Sequence, residues 1–298
     1  MSFDRLIRFI DSAGLERYGN VESEVAGGDL VGKTVSLLQG NMTTGFSVMP
    51  DTKAQVTKVG PYVIVKHTSI ALTELMQLLC PLESTPVILC AGVNYKSHAS
   101  ETKFTPPSKP VLFATPPDRL TGPFEDIQIH PDAQELLDYE GELAIVIGKD
   151  GYDIPEESAL EYVLGYTVCN DVSARNLHHP DVSGWQMGYA KSFDNFGPTG
   201  PYLVSPRIVP NPQVLELTTK VNGQVRQKTN TEQMLWSCKQ LIAFASRGRT
   251  LRQGTLIMTG TPEGVGWKTN GCLKDGDMVE VTVEKLGSIS NRMVFQKP

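Results

Sequence analysis

The chain has 298 residues, enough for one large domain or a large domain with a small companion, and its ionisable groups balance to a net charge of −6. That acidic balance, with no long basic run, excludes non-specific binding to nucleic acid; Arg247-Gly248-Arg249, the densest basic spot, reads as a solvated turn. The five cysteines are odd in number, widely spaced and without a C-x-x-C pair, which excludes a disulfide framework or cysteine zinc site and fits a reducing cytosol, while no run of about 18 apolar residues offers a membrane span or classical secretion signal.

Residues 1–65 carry short apolar pieces at 6–10, 30–35 and 62–65 between Gly, Asn, Asp and Pro clusters, the rhythm of a small β-rich unit. Apolar positions 72, 75, 76 and 79 have helical spacing and predict one short helix, stopped by Pro81. Residues 86–91 predict a buried strand that leads into Gly92-Val93-Asn94-Tyr95-Lys96-Ser97-His98-Ala99-Ser100-Glu101. The stretch 101–131 holds six prolines between 106 and 123, and its lack of periodicity predicts a functional loop or lid.

The stretch 138–147, Asp-Tyr-Glu-Gly-Glu-Leu-Ala-Ile-Val-Ile, predicts a strand, because its second half is apolar and partly β-branched and stops at Gly148. Alternation sends Glu140 and Glu142 to one side, with Ala144 and Val146 continuing that face inward. Two carboxylates side by side at the mouth of a buried strand repel and lose hydration unless a cation sits between them. Two solvated glutamates on an edge strand fit the same residues.

Beyond it, residues 155–164 open with Pro and two glutamates and predict a helix ended by Gly165. Residues 165–172 follow as a strand with Asp171 at its end. Asn222-Gly223 marks a hairpin turn inside 215–225, and the spacing over 231–245 predicts a helix. Short strands are expected at 255–258, 278–283 and 290–295. The fold class implied is mixed α+β dominated by strands.

Asp171 adds a third carboxylate, and a connection of this length allows its strand to neighbour that of Glu140 and Glu142. Three oxygen ligands suit Mg2+, Mn2+ or Ca2+, and the absence of clustered Cys and His argues against zinc. His98 and Glu101, three apart, share a helical face; a carboxylate beside an imidazole orients it as a base for water, although a solvated helix face fits the same spacing. The glycines at 260–266 satisfy neither nucleotide-binding pattern.

The ordered motifs GVNYKSHASE, GP at 122–123, DYEGELAIVIGK, GYTVCNDVSAR, AKSFDNFGPTGP, VNG and TGTPEGVG strongly resemble the fumarylacetoacetate hydrolase superfamily, from about residue 72 to the C-terminus. Residues 1–71 resemble the small N-terminal domain of its larger, acylpyruvate-hydrolase-like members. The resemblance implies a β-sandwich roll catalytic domain over 72–298, a homodimer, and bound magnesium or manganese. It implies metal ligation by Glu140, Glu142 and Asp171, an active-site lysine at Lys191, substrate carboxylate binding at Thr261, and a lid base formed by His98 and Glu101. Arg175 and His178, in Ala174-Arg175-Asn176-Leu177-His178, join Thr261 as expected substrate-binding residues.

Two departures stand out. Many relatives read Phe-x-Lys where this chain has Phe113-Ala114-Thr115, and Ala-Arg-Asp with a glutamine two residues later where it has Asn176 and His178. The activity implied is a divalent-metal-dependent reaction of a 2-oxo acid or 1,3-diketone through a stabilised enolate, first of all C–C hydrolysis of an acylpyruvate-like substrate. Oxaloacetate decarboxylation, oxaloacetate keto–enol tautomerisation, action on a larger polyketide-like diketone and a non-catalytic metal-binding module remain open. The compartment expected is the cytoplasm, with mitochondria open.

Overall fold

The computed structural model of the chain describes residues 3–11, 13–22, 30, 33–56, 73–184 and 186–297. The N-terminal part supplies β1 (Arg5–Asp11), β2 (Glu16–Asn20), β3 (Thr34–Asn41), β4 (Gly45–Val56) and β5 (Thr73–Leu79). Next come β6 (Ile88–Ala91), α1 (Lys96–Thr102), β7 (Leu112–Thr115), β8 (Leu120–Thr121), β9 (Ile127–Ile129), β10 (Leu137–Asp138), β11 (Gly141–Ile147) and β12 (Gly151–Tyr152). The chain continues through β13 (Val163–Asn170), β14 (Ser173–Ala174), α2 (Pro180–Ser183), β15 (Gly197–Val204), β16 (Glu216–Val221) and β17 (Gln224–Asn230). It closes with α3 (Cys238–Ala245), β18 (Thr250–Leu251), β19 (Leu256–Met258), α4 (Gly266–Thr269), β20 (Met278–Val283) and β21 (Gly287–Phe295).

Among the described residues the main sheet has 12 strands, ordered β2-β3-β4-β5-β1-β15-β13-β11-β19-β6-β7 with β8 beside β15. A second sheet runs β17-β16-β20-β21-β9. The strand β11 lies between β13 and β19, and all seven of its residues are buried. Glu140 and Glu142 therefore do not sit on an edge. Leu143, Ile145 and Ile147 enter the larger apolar core; Ala144 and Val146 enter a smaller one with Cys90, Cys169 and Met258. The alternation read from the sequence is the alternation observed. Gly141 opens the strand because a Cβ there would fall 2.1 Å from Thr219 Oγ1 on β16, so the second sheet closes tightly over the site.

Four expectations need correction. Residues 73–79 form a strand, not a helix: β5 pairs antiparallel with β1 and parallel with β4, and these ladders override the helical spacing. The helix expected over 155–164 is a 3-10 segment at Glu156–Tyr162, and Gly165 lies inside β13 opposite Val146 rather than ending a helix. The helix expected over 231–245 is shorter, because Met234 bridges to Tyr95 and the Ser237–Gln240 capping box starts α3 only at Cys238. The stretch 101–131 is not one long loop, since it contains β7, β8 and β9, which pair with β6, β15 and β21.

The hairpin turn between β16 and β17 has φ of 50° at Asn222 and 78° at Gly223, as expected. The basic spot at 247–249 is an exposed turn. The apolar piece at 62–65 lies outside the described residues. No helix among the described residues is long and apolar enough to cross a membrane.

Candidate active site

The site is built where β11 begins and β13 ends. The Glu140 amide donates to Asn170 Oδ1 at 2.9 Å, and the Asp171 amide donates to the Glu140 carbonyl at 2.8 Å. This antiparallel register brings one carboxylate oxygen each of Glu140, Glu142 and Asp171 within 4.8 Å of one another, all three buried. Glu142 Oε2 accepts the Gly260 amide at 2.6 Å. Gly260 has φ of 93°, and a Cβ there would meet Asn94 Cβ at 2.7 Å, so only glycine brings this amide so close.

Three cations surround two of the carboxylates. Lys191 Nζ donates to Glu140 Oε2 at 2.8 Å and Asp171 Oδ2 at 2.7 Å. Arg175 donates to Glu140 Oε1 through NH2, and to Asp138 Oδ2 through Nε at 2.8 Å. Arg119, fully buried, donates to Asp171 Oδ1 at 2.5 Å and to the Phe196 carbonyl at 2.9 Å. Burial alone would raise the Glu140 carboxyl; Lys191 and Arg175 outweigh it and hold the group well below the usual carboxylate range. Glu142 goes the other way, pushed well above that range by burial and then by Asp171 and Glu140. Burial works against the charge on Lys191, yet Asp171 and Glu140 raise it above the ordinary lysine value.

These residues fit a divalent cation. Glu142 Oε1 is buried without a hydrogen-bond partner, a costly state that a hard cation among three oxygen ligands would relieve. The donor set is all oxygen, as magnesium, manganese or calcium prefer.

A cavity of about 690 Å³ opens above the cluster, lined by Glu140, Lys191, Arg175, His178, His98 and Thr261 among others. Glu142 and Asp171 are buried beneath it. His98 Nδ1 lies 2.9 Å from Glu101 Oε2 on α1, and Glu101 Oε1 accepts the Gly264 amide at 2.9 Å. Glu101 is raised by burial but lowered further by His98 and the Gly264 amide, so it stays ionised. An ionised partner at Nδ1 makes that nitrogen the donor and leaves Nε2 as the basic atom.

The structure thus brings together every residue singled out in the sequence, with particulars that matter. The Thr261 hydroxyl donates to the Gly141 carbonyl at 3.0 Å and accepts from Gln227 Nε2 at 2.8 Å, so it braces the start of β11 as well as lining the cavity. His178 Nδ1 lies 3.5 Å from Arg175 NH1, and burial, Lys191 and Arg175 push its pKa down to about 4, leaving it neutral. Asn176 Nδ2 donates to the Asp132 carbonyl at 2.7 Å. Thr115 is buried against Arg119 and Cys90. Arg119 and Asp138 were not singled out from sequence. Asp138 adjoins the glutamate motif and holds Arg175, a position its neighbours could have flagged. Arg119 follows Thr115 by four residues in an aperiodic Pro-rich stretch, where only the absent lysine at 115 hints at charge supplied from elsewhere.

Comparison with known proteins agrees with this geometry. Residues 87–294 match the family described as Fumarylacetoacetate (FAA) hydrolase C-terminal. A Xenopus laevis protein named oxaloacetate tautomerase fahd2, mitochondrial, is 41% identical over 222 residues, covering 74% of this chain and 69% of its own. The Bacillus subtilis oxaloacetate tautomerase YisK is 39% identical over 210 residues, covering 69% of each chain. Among solved structures, a 5-carboxymethyl-2-hydroxymuconate delta-isomerase from Mycobacterium smegmatis superposes with a TM-score of 0.78 at 32% identity, covering 98% of this chain and 100% of that one. A fumarylacetoacetate hydrolase from Exiguobacterium antarcticum does so with a TM-score of 0.78 at 33% identity, covering 98% and 99%. With its motifs in order, its strands in register and a carboxylate triad at their ends, the chain belongs to the fumarylacetoacetate hydrolase family of enzymes.

Proposed function

We propose that the protein is a keto–enol tautomerase of a 2-oxo acid, with magnesium or manganese at Glu140, Glu142 and Asp171. The observation that carries this reading is the His98–Glu101 pair, whose imidazole lines the same cavity as Glu140 and Lys191 with Nε2 as its basic nitrogen. The relatives named oxaloacetate tautomerase support it, at about two-fifths identity over most of the chain. A divalent cation at the triad supplies Lewis-acid stabilisation of negative charge on the 2-oxo oxygen. The protein's own groups do the rest. Lys191, protonated and buried, meets the substrate carboxylate. Arg175 keeps Glu140 ionised and oriented. His98 Nε2 takes the proton from C3 and returns it to the former keto oxygen, so one C–H bond breaks, one O–H bond forms and the formula is unchanged.

The test is the rate of enol-to-keto conversion of oxaloacetate, followed by ultraviolet absorbance, with Mg2+ and with chelator. Metal-dependent acceleration is expected, reduced roughly 10²–10⁴-fold in His98→Ala. A second reading, hydrolysis of an acylpyruvate, is favoured by the same pair, because an imidazole held by a carboxylate also activates water. Faster cleavage of acetylpyruvate than tautomerisation of oxaloacetate would replace the first reading with the second. The boundary between residues 71 and 72, which lies outside the described residues, the homodimer and a cytoplasmic location belong to the same proposal; limited proteolysis, sedimentation and fractionation test them.

A further inference from the structure

The cavity is much larger than a four-carbon dicarboxylate requires; about 690 Å³ lies within the range that encloses a drug-sized ligand. Its walls divide by chemistry. The inner end is polar and already charge-paired, with Lys191 on Glu140 and Asp171, and Arg175 on Asp138 and Glu140. Most of the remaining wall is apolar, with Phe104, Val111, Phe113, Leu136, Met187 and Trp267 as its large side chains. That apolar wall begins at the reacting end. Lys191 Nζ is 5.9 Å from the centroid of the Phe113 ring, and the Arg175 guanidinium is 5.9 Å from that of Trp267. Val111 and Met187 close together over Gly92 on the same wall.

A second substrate carboxylate would find little to meet it there. Among the described lining residues, Thr102 and Asn176 donate to the His98 and Asp132 carbonyls, His178 is neutral, and His179 points its Nδ1 at the Asp181 amide and carboxylate. The exposed Glu135 adds a negative charge to the lining. Burying a carboxylate against apolar side chains without a partner is costly, whereas an alkyl or aryl group gains from the same surface. Resting on the tautomerase reading of the site, we propose that the substrate is a monoanionic 2-oxo acid carrying an apolar alkyl or aryl substituent beyond C3. The 2-oxo acid head faces Lys191 and the carboxylate triad, and the tail lies along Phe113, Val111 and Met187.

The experiment is titration calorimetry of the full chain in Mg2+ with two stable probes of similar reach, 2-oxo-4-phenylbutanoate and 2-oxoglutarate. The aryl acid is expected to bind at least about tenfold more tightly, within the usual discrimination of an apolar pocket. Met187→Arg, at a half-buried position, is expected to shift that ratio at least about tenfold toward 2-oxoglutarate; if it does not fold, Val111→Lys serves the same purpose. Equal affinities, tighter binding of 2-oxoglutarate, no binding of either, or an unchanged ratio in the folded variant overturns the proposal. Its failure is separable from that of the tautomerase reading, which falls if no 2-oxo acid enol is converted faster even though the binding preference stands.

Discussion

The two sides of the carboxylate cluster use one chemical group in opposite ways. On the side of Glu140 and Asp171, three cations meet four carboxylate oxygens, and the Glu140 charge is stabilised by the protein itself. On the Glu142 side, one backbone amide is the partner of Oε2, and Oε1 has none. One side is a finished ion-pair network, while the other holds an electrostatic cost that is relieved either by a proton or by an added cation. Metal affinity in such a site is drawn from the unfinished side, and its geometry is fixed by the finished one.

Breaking the unfinished side gives the largest effect. Glu142→Gln keeps the volume and removes the carboxyl that must ionise to hold a cation, so turnover and Mg2+ binding by calorimetry are expected to vanish. The metal-free melting temperature should hold or rise, since the buried cost is gone. A melting temperature well below that of the parent would contradict this assignment.

Breaking the finished side acts on stability first. Arg119→Met removes the buried partner of Asp171 Oδ1, and a loss of about 3–5 kcal/mol in urea unfolding is expected. A loss below about 1 kcal/mol would mean that Lys191 alone suffices for Asp171.

The smallest effect sharpens the comparison at its border. His178 has its pKa lowered from 6.5 to about 4 in the fold, so below 6.5 the unfolded chain takes up a proton that the folded one refuses. The contribution of a neutral His178 is therefore complete above pH 6.5 and declines as the pH falls toward 4. His178→Gln should flatten that part of the stability-against-pH curve, and an unchanged slope would place the acid sensitivity elsewhere.

Much of this site is legible in the chain because it lies on strands whose period is two. Glu140, Glu142, Ala144 and Val146 declare a shared face, and Asp171 declares the end of a neighbouring strand. The His98–Glu101 spacing is equally local. What could not be read depends on distant partners. The apolar residues of β5 match a helix as well as a strand, and only β1 and β4 on its two flanks decide the matter. Arg119 belongs to a 3-10 turn with no periodic signature, and its importance exists only because Asp171 lies 2.5 Å away in space. Lys191, by contrast, was placed through the motif that surrounds it and not through any pattern of its own.

The Gly260 amide, aimed at Glu142 Oε2 from 2.6 Å, makes the protein its own spectroscopic probe. A backbone proton this close to a carboxylate resonates far downfield, and its position follows how much electron density that oxygen keeps. In protein labelled with nitrogen-15 glycine, one cross-peak would therefore follow ion loading at the triad without a coloured metal or a substrate. The same peak, watched during a titration with 2-oxo acids, would separate ligands that reach the cluster from those that stop at the mouth.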